Sequence, residues 1–263
     1  MHDLRVASRR AAAAMDLFSD LLPERRSRRL VKLLRRIRRA AGKVRDTDVL
    51  AWRWASEAEV PRLIQRGVER TRRRAQKPLA AIDERLGKTA RLSRRVAKLL
   101  AKLVHRAKKR ARSRTPSFGQ WAAEMLSLRV RRFFEASRTC EASEAALHGF
   151  GISGKDLRYT MEILAGVFPE EMRRDLYPVI ELVQGKTGLI TDHAVACHRL
   201  EKWLHGSGCS RKPAAVRRLL RIEKSRQSDA RQSFTGWWTP DRSGALHRRF
   251  QALLCAADAT YAA

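Results

Sequence analysis

The chain repeats itself. "MHDLRVASRRAAAAMDLFSDLLPE" at the start and "LHGFGISGKDLRYTMEILAGVFPE" from Leu147 superpose when the sequence is slid by 146 residues. His2 then meets His148, Val6 meets Ile152, Arg9 meets Lys155, Met15 meets Met161, and Pro23-Glu24 meets Pro169-Glu170. The register continues without a gap: Leu30, Leu33 and Ile37 fall on Leu176, Val179 and Val183, Gly42 on Gly188, Val44 on Ile190 and Asp46 on Asp192. About fifty residues recur as a unit, and so short a helical unit buries its apolar face only by packing on a neighbour.

Each copy predicts a helix from the His to just before the Pro-Glu pair, where proline ends one helix and opens the next. A second helix should follow, over about 24–41 and about 170–186, closed by Gly42 and Gly188 as left-handed caps. Asp46 and Asp192 then stand where N-caps belong, ahead of "TDVLAWRWA" and "HAVACHRLEKWL". Residues 62–112 read as one or two long basic helices, including "ERTRRRAQK" and "LVHRAKKRARSR". The Thr115-Pro116-Ser117 break precedes a helix at about 118–138, and "GSGCSRKP" is a linker before helices at about 213–235 and 240–260. No segment alternates with the period of a strand. The expectation is an all-α chain: an N-terminal half 1–140 and a C-terminal half 141–263, two antiparallel four-helix bundles related by pseudo-twofold symmetry.

Charge narrows the partner. The chain holds 57 Lys+Arg against 27 Asp+Glu, a net +30, whose self-repulsion calls for an anionic partner. Residues 1–140 carry 39 and 13 of these, leaving 18 and 14 for the rest, so the excess sits in the first half. No apolar run has a membrane span's length and the N-terminus has no signal core, which points to a soluble, cytoplasmic protein. Cys140, Cys197, Cys209 and Cys255 lack CxxC pairing or metal-like spacing and read as reduced structural thiols.

On the first helix His2, Arg5 and Arg9 are spaced i, i+3, i+7 and share a face, with Leu4, Ala11, Met15 and Phe18 on much of the other. His148, Lys155, Arg158 and Tyr159 fall on the equivalent face of the second copy, and two such faces converging on a pseudo-axis would line a concavity. Guanidinium groups fit phosphate oxygens bidentately, Lys adds a point charge and His can donate or become charged, so phosphate is the natural ligand class. The second helices add Arg35, Arg38, Arg39 and Lys43 in one half but only Gln184 and Lys186 in the other, an asymmetric lining. Asp46 and Asp192 would suit a metal or general base, but no second carboxylate stands at a fitting spacing and the N-cap role accounts for them; Arg45 could pair with Asp46 locally. His105, His193, His198, His205 and His247 do not repeat and read as surface or packing residues. With no phosphate loop, nucleophile elbow or HExxH, the sequence offers no catalytic constellation, no cofactor and no metal site.

The paired signatures "MHDLRVASRR" with "GKVRDTDVL" and "LHGFGISGKDLRY" with "QGKTGLITDHAV" resemble the CHAD domain, the conserved histidine α-helical domain. The resemblance covers nearly the whole chain as a single domain, 1–263, and is strongest over 1–54 and 147–204. It implies two helical bundles around a basic central cavity, and a non-enzymatic role binding inorganic polyphosphate on polyphosphate granules. Carried over by position, it implies a lining of His2, Arg5, Arg9, Arg10, Arg38 and Arg45, with His148, Lys155, Arg158, Tyr159 and Gln184 from the second copy. Where the family's second motif usually has Arg, this chain has Gly151, so binding on that side should be weaker or rest on Arg158. Such domains are often fused to a triphosphate-tunnel domain; this chain reads as a stand-alone version whose start at the motif fits domain trimming. The competing readings are a general nucleic-acid-binding protein using the outer basic helices and a metal-dependent polyphosphatase built on Asp46 and Asp192.

Overall fold

A computed structural model describes residues 2–55, 62–87, 91–110, 117–205 and 213–262. Among these residues every regular element is helical, and the chain divides into two compact units, Met1–Thr115 and Pro116–Ala263. The Thr115-Pro116 break, most of the "GSGCSRKP" linker and Cys209 lie outside the described residues.

The first unit runs α1 (His2–Leu17), a 3-10 turn (Ser19–Leu21), α2 (Glu24–Ala55), α3 (Arg62–Gly87) and α4 (Arg91–Arg110). Pro23 separates α1 from α2 as predicted, and Glu24 sits in the first turn of α2, where a carboxylate suits the helix dipole. The α2 seam, Leu30, Leu34, Ile37, Ala41 and Val44, advances in steps of four and three and is buried. Met15 of α1 and Leu99 of α4 pack on Leu30 and Leu34, while Ala75 and Leu79 of α3 pack on Ala40, Ala41 and Val44.

The predicted break at Gly42 is absent, because the apolar register keeps its phase through it: Thr47, Leu50 and Trp54 continue the buried seam, Trp54 at 2% exposure. A glycine inside a helix costs about 1 kcal/mol, less than the roughly 3–6 kcal/mol from burying a Leu and a Trp beyond it. Gly188 behaves likewise. It lies inside α7 (Tyr177–His205), whose seam of Ile180, Val183, Thr187, Ile190, His193 and Leu200 is unbroken. Asp46 and Asp192 are therefore helix-interior residues and not N-caps, and the stretches after them are the C-terminal halves of α2 and α7.

The second unit contains α5 (Phe118–Arg138), α6 (Glu144–Ile163), a π-helical turn (Met172–Leu176), α7, α8 (Pro213–Trp237) and α9 (Pro240–Ala262). The sequence reading placed the 118–138 helix in the first half; it packs instead in the second. Phe133 of α5 lies 4.9 Å from Phe150 of α6, centroid to centroid, and the indole N–H of Trp238 donates to Ser137 Oγ at 2.8 Å. This unit thus has five described helices where the repeat predicted four, and the division falls at 115/116 and not at 140/141. Ser117 and Gln120 cap α5 reciprocally. Ser143 accepts from the Ala146 amide, so α6 starts one turn before His148. His193 Nδ1 and Glu223 Oε2, both buried, lie 2.6 Å apart and tie α7 to α8.

Candidate anion-binding site

Two antiparallel helix pairs, α1–α2 and α6–α7, carry the repeated motifs. In the first unit Arg5 reaches Asp46 at 3.7 Å, which fixes the register of the pair. The carboxylate weighed as a metal ligand or a partner of Arg45 thus answers a cation of α1. One turn along, this register sets Arg9 abreast of Gly42, since a step of four residues up α1 matches four down α2. Arg38, Gly42 and Arg45 stand at i, i+4 and i+7 on one stripe of α2.

Gly42 has no atom within 4 Å of the place its Cβ would take, so it forms an open floor with Arg38 and Arg45 on either side. From Arg25 to Arg45 the helix contains no Asp or Glu at all. Arg38 is exposed, and Arg9 and Arg45 are partly exposed; among the described residues none of the three has an acidic partner. Arg10 is exposed beside them, and His2 opens α1, its side chain outside the described residues. An acid-free run of guanidiniums over bare backbone fits an extended anion with many oxygens.

The equivalent face of the second unit is differently disposed. His148 is exposed and Lys155 half-buried, but Arg158 is turned inward at 17% side-chain exposure, 3.2 Å from Glu181 and 3.8 Å from Glu162. Its guanidinium also lies over the Tyr159 ring at 5.1 Å. Burial works against its charge, but the hydrogen bond with Tyr159 and the charges of Tyr177, Tyr159 and Glu162 outweigh that and raise its pKa above the ordinary arginine value. Tyr177 donates to Glu162 Oε1 at 2.7 Å; burial first, then this bond, pushes its phenol up to about 12.

Tyr159 is 4% exposed, and Gln184 donates its amide to the Gly154 carbonyl at 2.7 Å. Tyr159 therefore sits inside the helix packing and not on the open lining where helical spacing had placed it, while Gln184, partly exposed, is tied to the α6 backbone. Lys186 leans on α8, with Nζ 3.2 Å from Ser233 Oγ and 5.5 Å from the Trp237 ring centre. The Gly151 departure has a steric cause: a Cβ there would stand 3.3 Å from Thr187 Oγ1. The position equivalent to Arg5 faces the α6–α7 contact, and any side chain there has to push Thr187 aside by a few tenths of an ångström.

A cavity of about 580 Å³, which no sequence motif announced, opens between α2 and α3, lined by Trp54, Arg66, Arg70 and Arg73 among others. Acids partly engage the cations of α3 around it: Arg73 with Glu69 at 3.2 Å and Arg72 with Asp48 at 2.7 Å. Among the described residues no group of three or more His, Cys, Asp or Glu is placed to hold a metal ion, and no helix is long and apolar enough to cross a membrane.

An internally duplicated, all-helical protein with a cationic face on its first helix pair is the class these observations define. The sequence profile of the CHAD domain matches residues 1–201, and the chain belongs to that family. Among solved structures it is similar to the CHAD domain from the plant Ricinus communis, with TM-score 0.64 and 19% identity over 96% of this chain and 81% of that one. No curated protein matches it.

Proposed function

We propose that this protein binds inorganic polyphosphate without turning it over, and that the α1–α2 face of the first unit is the main contact. The observation that carries this reading is the stripe of Arg38 and Arg45 flanking the open Gly42, abreast of Arg9, with no acidic partner for these three among the described residues. Arg5 and Arg10 extend the stripe at its edges, and the resemblance adds His2. By the family resemblance, His148 and Lys155 of the second unit would add further contacts. Association with polyphosphate granules in the cytoplasm follows from the same ligand.

The test is retention on long-chain polyphosphate of the full chain and of a triple variant, Arg9→Gln, Arg38→Gln and Arg45→Gln, with duplex DNA at equal phosphate concentration as competitor. At roughly 1 kcal/mol for each exposed charge-assisted contact, the triple variant should lose about 100-fold in affinity. Equal retention by parent and variant would move the site elsewhere. DNA displacing polyphosphate at equal phosphate would favour general nucleic-acid binding through α3 and α4. Phosphate release with Mg²⁺ would point to an enzyme.

A further inference from the structure

Helix α4 is cationic and apolar with nothing acidic on it: "RLSRRVAKLLAKLVHRAKKR" holds nine Lys and Arg and no Asp or Glu. Leu92, Val96, Leu99 and Leu103 pack on the α1–α2 core, and Arg26 donates to the Lys98 carbonyl at 3.4 Å. This half of the apolar face attaches the helix to the fold. Roughly 100° further round lie Leu100 and Val104, one turn apart and each 52% exposed, with exposed Ala97 and Ala101 beside them. Arg94 and Lys108 are exposed and flank this edge on one side, and Arg95, Lys98, Lys102 and Arg106, also exposed, fill the opposite arc.

We propose that α4 is a docking surface for an anionic lipid bilayer. A helix lying in a membrane interface needs an apolar edge that enters the acyl boundary and flanking cations that meet the headgroups. Leu100 and Val104 supply the edge, and Lys108, exposed one turn beyond Val104, has a stem long enough to lie along it while its ammonium group stays at headgroup level. A nucleic acid would engage the cations and leave Leu100 and Val104 in water, so the exposed apolar pair is what selects lipid over soluble polyanion.

Co-sedimentation of the full chain with phosphatidylcholine vesicles, with and without phosphatidylglycerol, tests this. Binding is expected only to vesicles containing phosphatidylglycerol. The Leu100→Gln, Val104→Gln variant should lose at least about tenfold in vesicle affinity while its polyphosphate retention and urea midpoint stay at the parent's. Leu100→Trp should bind the same vesicles more tightly, a gain that a folding defect would not give. Failure of the parent to bind these vesicles would overturn the proposal, as would equal binding by the Gln variant or equal binding to phosphatidylcholine alone. A concentration-dependent dimer abolished in the Gln variant, without vesicle binding, would assign the edge to a second copy of the chain. Polyphosphate retention is read separately, so failure here leaves the α1–α2 reading standing.

Discussion

Three glycines of the repeated helices make opposite predictions when changed to alanine. At Gly42 and Gly188 no atom lies within 4 Å of the added Cβ, and both positions are inside long helices. Alanine there gains only from helix propensity and a less disordered unfolded chain, about 0.5–1 kcal/mol of added stability. At Gly151 the methyl would stand 3.3 Å from Thr187 Oγ1 and 3.6 Å from its Cβ. Thr187 is buried and donates to the Val183 carbonyl at 2.9 Å, so moving it aside strains a hydrogen bond worth about 1 kcal/mol. Overpacking of about 1–3 kcal/mol then opposes the propensity gain, leaving Gly151→Ala roughly 0–2 kcal/mol less stable. For units of this size the two kinds of variant should move apart by several degrees, each kcal/mol shifting the midpoint by about 3–6 °C. Thermal unfolding followed by circular dichroism reads this, with Gly42→Ala reporting on the first unit and the other two on the second. A Gly151→Ala variant that gains as much as Gly188→Ala would refute the close α6–α7 approach. A Gly42→Ala variant that gains stability but loses polyphosphate retention would tie that open floor to the ligand.

Two further outcomes follow from burial. Tyr177 has a folded pKa raised to about 12 from an ordinary 10.0, so above pH 10 the unfolded chain holds fewer protons than the folded one. Its contribution is complete below pH 10 and is lost as pH rises toward 12; Tyr177→Phe should remove that part of the slope in urea midpoints measured across this window. Burial raises the Cys140 and Cys197 thiols above their ordinary values, whereas Cys255 is exposed. Brief treatment of the native protein with iodoacetamide should modify Cys255 well before Cys140 or Cys197, read by peptide mass spectrometry, and urea should erase the difference.

Much of this architecture was readable in advance because helices of this kind are set by local patterns. The 146-residue repeat, the proline stops and the apolar steps of three and four placed α1, α5, α8 and α9 within a few residues. The failed break at Gly42 shows where a local signal loses: a glycine proposes an end, but a seam that keeps its phase through Val44, Leu50 and Trp54 outweighs it. That seam was itself in the sequence. The candidate site was half legible. Spacing put Arg9 on the motif face and the family resemblance added Arg38 and Arg45, but spacing treats Lys155, Arg158 and Tyr159 as one face and cannot see that Glu181 and Glu162 draw Arg158 inward.

The sequence by itself determined the helical class, the duplication, the first half's excess of charge and the residue types that can hold phosphate, since periodicity and composition are properties of the chain. Only the tertiary structure decided which cations stay open. Whether a guanidinium meets an acid depends on what the neighbouring helix brings alongside: Glu181 for Arg158, and bare Gly42 backbone between Arg38 and Arg45. It also decided that Gly151, where the family motif usually has arginine, lies close against Thr187, because that closeness belongs to the α6–α7 pair and to neither helix alone.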